Sequence, residues 1–444
     1  MNKYTPIIGL ETHVELKTNS KMFCGCVNDP FNAEKPNIYT CPVCLGLPGA
    51  LPVPNKKAIE WTIKLGLSLD CKINHFSKFD RKNYFYPDLA KGYQISQYDI
   101  PFCFNGQIQT QQGEIKIRRI HLEEDTGKLL HEIVNNEPVS LIDFNRSGVP
   151  LVEIVTEPDI KNGDQAQEYG KKLRTLMKYL NIADCKMAQG GMRLEANISL
   201  APKGSTKLPN YKVEIKNINS FRFLKQAIDY EIIRQSKILD QGKIPAQETR
   251  GWDTTKQQTF SQRTKEEAED YRYFPDPDIP PIVFTQKEVA AINDSLPELP
   301  DEITSRWQKE YGINTKYSHQ LVVDDKTVSW TEKILSLSKK EDIKPTAIIG
   351  DIINKKINVT KKDDPEKVIN IFKEHHQTVT INIDELDPIV DQVIENNQDA
   401  VEKFYNGKTQ VLGFLIGQIM SRLGKKADSN QVRQALLTAL KKSQ

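Results

Sequence analysis

The chain has 444 residues, 38% of them hydrophobic and 27% charged, with a net charge of +2 and a mean hydropathy of −0.53. That length accommodates about three domains and at least one sizeable core, and the composition excludes a disordered chain. No apolar run approaches the ~20 residues that span a bilayer, and a strand pattern from Pro6 leaves no room for a signal or transit peptide, so a cytoplasmic protein is expected.

Ile7–Leu16 alternates as a strand, with Leu10, Thr12, Val14 and Leu16 on one face and Glu11, His13 and Glu15 on the other. That polar face is either wetted by solvent or suited to a divalent cation, with oxygen ligands and an imidazole. Cys24 and Cys26, then Cys41 and Cys44 after fourteen intervening residues, have the paired spacing of a tetrahedral zinc site. The alternative is two pairs of buried thiols. Seven cysteines, four of them crowded together, suit a reducing compartment and a metal better than disulfides. Cys71, Cys103 and Cys185 read as ordinary core thiols.

A short helix is expected over Trp61–Leu69, after the Pro52/Pro54 turn. Phe79–Asp99 mixes aromatics with both signs of charge and has no period, the composition of a functional loop. Its Arg81, Lys82 and Lys91 could grip phosphates, and Tyr84, Tyr86 and Tyr93 could stack on a base or simply anchor the loop. Asn105-Gly106 is expected to turn a hairpin into a strand over Glu114–His121. That strand delivers His121-Leu-Glu-Glu-Asp-Thr-Gly-Lys128. Three adjacent carboxylates, Glu123, Glu124 and Asp125, repel one another and call for counter-charge or metal unless they form a solvated turn. In a strand, His121, Glu123 and Asp125 share a face and Glu124 points away.

Glu153 stands in an apolar run, Leu151–Val155, where an unpaired carboxylate is costly, so it needs a partner. A metal shared with the acidic cluster is one. A helix over residues 164–180 follows, then a glycine turn into a strand carrying Arg193, Glu195 and Asn197 on one face. Glu214–Ser220 leads into a helix capped by Asn219 or Ser220 and stopped at Gly242. Gln247–Trp252 and Asp270–Asp278 read as further charged-aromatic loops.

Toward the C-terminus, helices are expected over Ile383–Asn396 and Lys408–Leu423, with Gly413 and Gly417 spaced for close packing. Asn406-Gly407 breaks the chain between them, and Ser429 or Asn430 caps a last helix. Residues 401–444 carry eight basic residues (403, 408, 422, 425, 426, 433, 441 and 442) against Glu402 and Asp428. Such a tail suits an RNA backbone, or is a solvated basic face. No P-loop and no Gly-x-Gly-x-x-Gly fingerprint occurs, which excludes those two nucleotide-binding modes.

Gly9–Leu16, Phe79–Asp99, His121–Lys128, Asp143–Ile154, Glu214–Phe221 and Asp270–Asp278 together resemble the B subunits of the aspartyl/glutamyl-tRNA(Asn/Gln) amidotransferases. The resemblance implies an α+β catalytic domain, largely antiparallel sheet with flanking helices and similar to glutamine synthetase, followed by all-α helical and tail domains. It implies a catalytic domain over 1–293 with its zinc loop at 24–44, a shortened helical connector over 294–380 and a tRNA-binding tail over 381–444. The implied activity is ATP-dependent phosphorylation of misacylated Glu-tRNA(Gln) or Asp-tRNA(Asn). Transamidation would follow, with ammonia from a partner amidase (A) subunit in a complex with a small C subunit.

By motif, Glu11, His13, Glu123, Glu124, Glu153 and Glu195 would line the catalytic site, with Glu11, His13, Glu124 and Glu153 on Mg²⁺. Lys82, with Arg81 and Lys91, would contact ATP, and Cys24, Cys26, Cys41 and Cys44 would hold structural zinc. Glu195 stands where the family carries Asp. Lys344–Gly350 replaces an Asn-Trp segment of the connector, and Lys355–Asn382 is shorter than in the family. The rival readings are a non-catalytic, zinc-stabilised tRNA-binding scaffold, which could lose the carboxylates, and a metal-dependent hydrolase, which would not need the tail.

Overall fold

The strand expected near the N-terminus is the middle of the structure, a computed structural model that describes residues 3–264, 271–376, 383–423 and 428–442. In β1 (Tyr4–Glu15), Ile8, Leu10, Thr12 and Val14 are at most 1% exposed on the core face. Period-two alternation turns Glu11 and His13 to the other face. After it comes α1 (Lys56–Leu67), which begins five residues before the expected start. Asn55 sets that start by accepting hydrogen bonds from the amides of Lys57 and Ala58.

The short strands β2 (Lys72–Ile73), β3 (Phe76–Ser77), β4 (Asp80–Asn83) and β5 (Tyr93–Ser96) follow. The stretch Phe79–Asp99, expected as a loop, thus contains two strands that pair with each other. β4 reads Asp-Arg-Lys-Asn, polar on both faces, and β5 is a four-residue Tyr-Gln-Ile-Ser alternation too short to stand out. β6 (Cys103–Thr110) and β7 (Gly113–Glu124) form the expected hairpin, but it turns at Gln111-Gln112. Asn105 does adopt left-handed backbone (φ 52°), yet β6 pairs with β7 on both sides of it.

Next come β8 (Lys128–Val134), β9 (Glu137–Asp143), β10 (Pro150–Thr156), α2 (Gly163–Tyr179), β11 (Met192–Pro202), β12 (Val213–Ile218) and α3 (Phe221–Asp240). Ser220 occupies the cap position of α3 in extended backbone, without a side-chain cap bond. The segment after it, expected as a loop, is β13 (Glu248–Asp253), followed by β14 (Gln258–Thr264), β15 (Phe274–Pro275) and β16 (Ile282–Val283). Of the expected loop Asp270–Asp278, residue 270 lies outside the described residues, and Phe274-Pro275 pairs with β4.

Nine strands form one sheet in the order β14-β13-β12-β11-β1-β10-β7-β6-β2, antiparallel at every step except β12–β13. Its apolar face, including Ile120, Leu122, Val152, Ile154, Leu194 and Ile198, packs with Ile63 of α1, Tyr169 and Leu173 of α2, and Leu224 and Ile228 of α3. Helices gathered on one face of a mostly antiparallel sheet make this the expected α+β architecture. The opposite face is left to polar side chains.

The helices α4 (Gln286–Asp294), α5 (Pro300–Tyr311), α6 (Thr315–Leu321), α7 (Asp325–Lys340), α8 (Pro345–Ile353), α9 (Pro365–His376), α10 (Ile383–Asn396), α11 (Gln398–Tyr405), α12 (Val411–Leu423) and α13 (Ser429–Lys442) complete the chain. It divides into two compact units, Met1–Arg306 with Leu321–Asp325, and Trp307–Gln320 with Lys326–Gln444. Within the second, α10 to α13 close around Leu386, Val390, Leu415, Ile419, Val432 and Leu436. Asp428, not Ser429 or Asn430, caps α13, its side chain accepting from the Asn430 amide. Among the described residues, no helix is long and apolar enough to cross a membrane.

Gly413 and Gly417 do not mark a close helix approach. A Cβ at either position would meet no described atom within 4 Å. Gly413→Ala should therefore raise stability by about 0.5–1 kcal/mol through helix propensity alone, read by equilibrium denaturation. A loss of stability would instead reveal packing against that face.

Candidate active site

The polar face of the sheet is built by cross-strand register. His13 on β1 pairs with Glu153 on β10, which pairs with His121 on β7, so three strands deliver one imidazole–carboxylate–imidazole rung. Glu153 Oε2 lies 3.3 Å from His13 Nε2 and 3.1 Å from His121 Nε2. Glu123, two residues along β7, reaches the same place, with its oxygens 3.9 Å from His13 Nε2 and 3.7 Å from His121 Nε2. Ser96 donates a 2.9 Å hydrogen bond to Glu123. Burial disfavours a charged His13, but Glu153, supported by Glu195 and Glu123, outweighs it and raises His13 to about 9. Burial also works against ionised Glu153, and the charges of His121 and His13 hold it well below the usual carboxylate range. One ligand-type atom from each of His13, Glu123 and Glu153 lies within 4.8 Å of the others.

A second acidic group continues the row. Glu11 on β1 sits opposite Glu195 on β11, and β12 brings Glu214 beside them, again with one oxygen of each within 4.8 Å of the others. Asn197 donates to Glu11 (2.8 Å), and Lys216 lies 3.4 Å from both Glu195 and Glu214. Burial raises the Glu11 carboxyl, and repulsion from Glu153 and Glu195 raises it further. At the other end, Asp125 is held by Arg193 at 2.6 Å, with Arg146 at 3.9 Å. Burial and then the Asp125 charge push Glu15 up to about 9, so Glu15 remains protonated beside it at neutral pH.

The remaining candidates separate. Glu124 is not in this group, because alternation along β7 sends it to the opposite face. There it takes an ion pair from Lys91 at 2.5 Å and a hydrogen bond from the Ile95 amide at 3.0 Å. Lys91 and Glu124 line a small cavity with Phe23, Cys24, Cys44 and Tyr93. Arg81 is committed to Asp276 and Asp278, both at 2.8 Å, and lies over the Tyr93 ring. Lys82, its neighbour on β4, turns the other way, 4.8 Å from the Tyr271 ring centroid, and its charge helps hold Glu123 ionised.

The four cysteines of the 24–44 loop converge, with all four sulfurs within 4.8 Å of one another. Cys41 and Cys44 are 3.8 Å apart, about the edge of a tetrahedron with the ~2.3 Å bonds of a zinc–thiolate site. Lys21, fully buried, braces the loop by donating to the carbonyls of Tyr39 (2.6 Å) and Phe144 (3.2 Å), with Nζ 3.9 Å from Cys44 Sγ. A hydrogen bond from Cys24, with help from the Lys21 charge, lowers Cys44 to about 5, as suits a thiolate ligand.

His121 and Glu214 stand in the row although the motif resemblance does not place them there. Both have a sequence signal, since His121/Glu123 and Glu214/Lys216 are pairs at period two on strands, the first of them on the strand that also carries Glu124. Ser96 and Lys21 have none, because only the tertiary fold brings them to Glu123 and to the cysteines.

Comparison with known proteins matches the GatB/GatE catalytic domain over residues 6–290 and the GatB domain over residues 323–440. The aspartyl/glutamyl-tRNA(Asn/Gln) amidotransferase B subunit of Carboxydothermus hydrogenoformans is 42% identical over 486 residues, covering 100% of both chains. That of Thermoanaerobacter sp. (strain X514) is 42% identical, covering 99% of this chain and 100% of its own. The corresponding protein of Ruminiclostridium cellulolyticum is 40% identical, covering 99% of this chain and 98% of its own. The first alignment is longer than this chain's 444 residues, so that relative carries residues with no counterpart here. With both domain matches in chain order and similarity running end to end, the chain belongs to the GatB/GatE family.

Proposed function

We propose that this chain is the kinase and transamidase component of a tRNA-dependent amidotransferase in the cytoplasm. It would convert misacylated Glu-tRNA(Gln) or Asp-tRNA(Asn) to the amide. The side-chain carboxylate attacks the γ-phosphorus of ATP and ADP leaves. Ammonia supplied by a partner amidase subunit, in a complex with a small C subunit, then attacks the acyl carbon and phosphate leaves. The observation that carries this reading is the row of carboxylates and imidazoles along one sheet face, with His121, Glu123, Glu153 and Glu214 buried and Glu11, His13 and Glu195 partly so.

That row fits divalent cations on its own chemistry. Glu11 is driven toward protonation first by burial and then by Glu153 and Glu195, and the repulsive part is negative charge that a cation would neutralise. Mg²⁺ held by His13, Glu123 and Glu153, or by Glu11, Glu195 and Glu214, would neutralise and align phosphate oxygens. Lys82 supplies a fixed positive charge on the same side as Glu123, suited to a phosphate. In the metal-free chain His121 and His13 hold protons against Glu153 and keep its carboxylate ionised and oriented, and an ion bound by His13 would displace the His13 proton. Glu195, one methylene longer than Asp, has an oxygen within 4.8 Å of oxygens of Glu11 and Glu214, a position from which it would supply the same carboxylate. Glu124 with Lys91 stands on the other side of β7, outside the cation row. A scaffold without catalysis would have no use for so much buried like charge.

The cysteine loop would hold structural zinc, since four thiolates leave no open position for chemistry. The basic residues Lys403, Lys408, Arg422, Arg433, Lys441 and Lys442 are exposed on α11 to α13 and the segment before α12, and would meet the tRNA backbone. Lys425 and Lys426 of the same tail lie outside the described residues.

Mixed with its amidase and C subunits, misacylated tRNA, ATP, Mg²⁺ and glutamine, the chain should form amidated tRNA with ADP release that depends on the aminoacyl-tRNA. Absence of both products contradicts the proposal. Glu153→Gln should lower amide formation by at least about 100-fold and raise the Mg²⁺ concentration needed, whereas retained activity at low Mg²⁺ would remove Glu153 from the site. Purified wild-type chain should carry zinc that Cys44→Ser loses. Stripping that zinc with a chelator should lower the melting temperature and open residues 24–44 to proteolysis; a metal-free wild type of unchanged stability would show the thiols to be a plain cluster.

A further inference from the structure

The helical unit contains a cluster that the proposed reaction does not use. Asp351 on α8 faces two consecutive histidines on α9, His375 and His376. Asp351 is only 4% exposed, and its Oδ2 lies 2.5 Å from His376 Nε2 and 4.0 Å from His375 Nδ1. One ligand-type atom from each of the three residues lies within 4.8 Å of the others. The second carboxylate oxygen, Oδ1, is engaged by Lys356 Nζ at 3.3 Å. The Phe372 ring sits 4.3 Å from that of His376 and limits how it can turn.

We propose that Asp351, His375 and His376 form a further metal site, for a borderline divalent transition ion of the Zn²⁺ or Ni²⁺ class. Two imidazoles and one carboxylate are the donor set that such ions prefer, whereas Mg²⁺ prefers oxygen donors throughout. Bonds of about 2.0–2.2 Å to each ligand place N and O roughly 3–3.5 Å apart. His376 must therefore withdraw by less than about 1 Å and His375 approach by about 0.5 Å, shifts within the reach of side chains. His376 is half exposed and His375 about one-third exposed, which gives an ion a path to a carboxylate otherwise closed off. Lys356 plays the part of an outer partner, holding one oxygen so that the other points at the ion, as ligating carboxylates are commonly held.

The two groups come from different helices, so the ion clips α8 to α9 and stabilises this part of the helical unit by mass action. The residues are remote in sequence from the cysteine loop and from every carboxylate of the proposed catalytic row. A failure here therefore leaves the amidotransferase reading untouched, and the reverse holds as well.

The test uses the full chain with its cysteine site zinc-replete and Mg²⁺ present in excess. Titrated with Ni²⁺ by calorimetry, wild type should take up one equivalent more than the double variant His375→Gln, His376→Gln, and only wild type should gain melting temperature as Ni²⁺ is added. Equal uptake by the two proteins would overturn the proposal and reduce the cluster to an ion pair. Should the double variant not fold, wild type labelled on histidine decides. Co²⁺ should shift the ring protons of His375 and His376 before those of His131 and His319, and unshifted signals at saturating Co²⁺ would overturn the site.

Discussion

Glu153 is enclosed by an imidazole from each neighbouring strand, and the electrostatics of the whole polar face follow from that contact. A carboxylate in an apolar strand of a nine-stranded sheet is costly to bury. Here the register places His13 on one side and His121 on the other, and their charges hold Glu153 ionised. The field of Glu153 in turn keeps His13 protonated against the cost of its burial, while burial first and then the Glu153 charge push the Glu11 carboxyl up. Negative charge thus accumulates toward β11 and β12, where Lys216 is the cation on Glu195 and Glu214. This distribution suits the face to cations and phosphate, because the charges that would meet them are already fixed on neighbouring strands of one sheet.

The sheet makes such a site possible by division of labour. Its helices are confined to one face, so the alternate residues of β1, β7, β10 and β11 are released from packing. The same alternation explains why adjacent glutamates part company. Glu123 meets His13 and His121, while Glu124, one residue on, meets Lys91 near the cysteine loop. A cluster that looks like one acidic patch in sequence is two environments on opposite sides of a strand.

This separation marks how far the sequence can be read. Period-two alternation makes β1 and the polar assignments of Glu11, His13, Glu153 and Glu195 legible, since each depends only on neighbours along one strand. The cysteine spacing is legible for the same reason. What escapes reading depends on contacts between distant segments. Strand β4 is polar on both faces, and β5 alternates over only four residues, too few to show a period. Asn105-Gly106 points to a hairpin turn because that pair favours left-handed backbone. Asn105 does adopt it, but within a strand whose pairing continues past it. Gly413 and Gly417 have helix-packing spacing and yet no neighbour among the described residues. Lys21 has no local signal at all, although its burial under the cysteine loop ties that loop to Phe144.

The claim that the rung and its neighbours form a cation site can be examined without any assay of turnover. Crystals of the chain soaked in Mn²⁺ as a stand-in for Mg²⁺ should show anomalous density between His13, Glu123 and Glu153, with a second peak among Glu11, Glu195 and Glu214 if both groups fill. Density absent from both places, or found instead at Glu124 beside Lys91, would contradict the account.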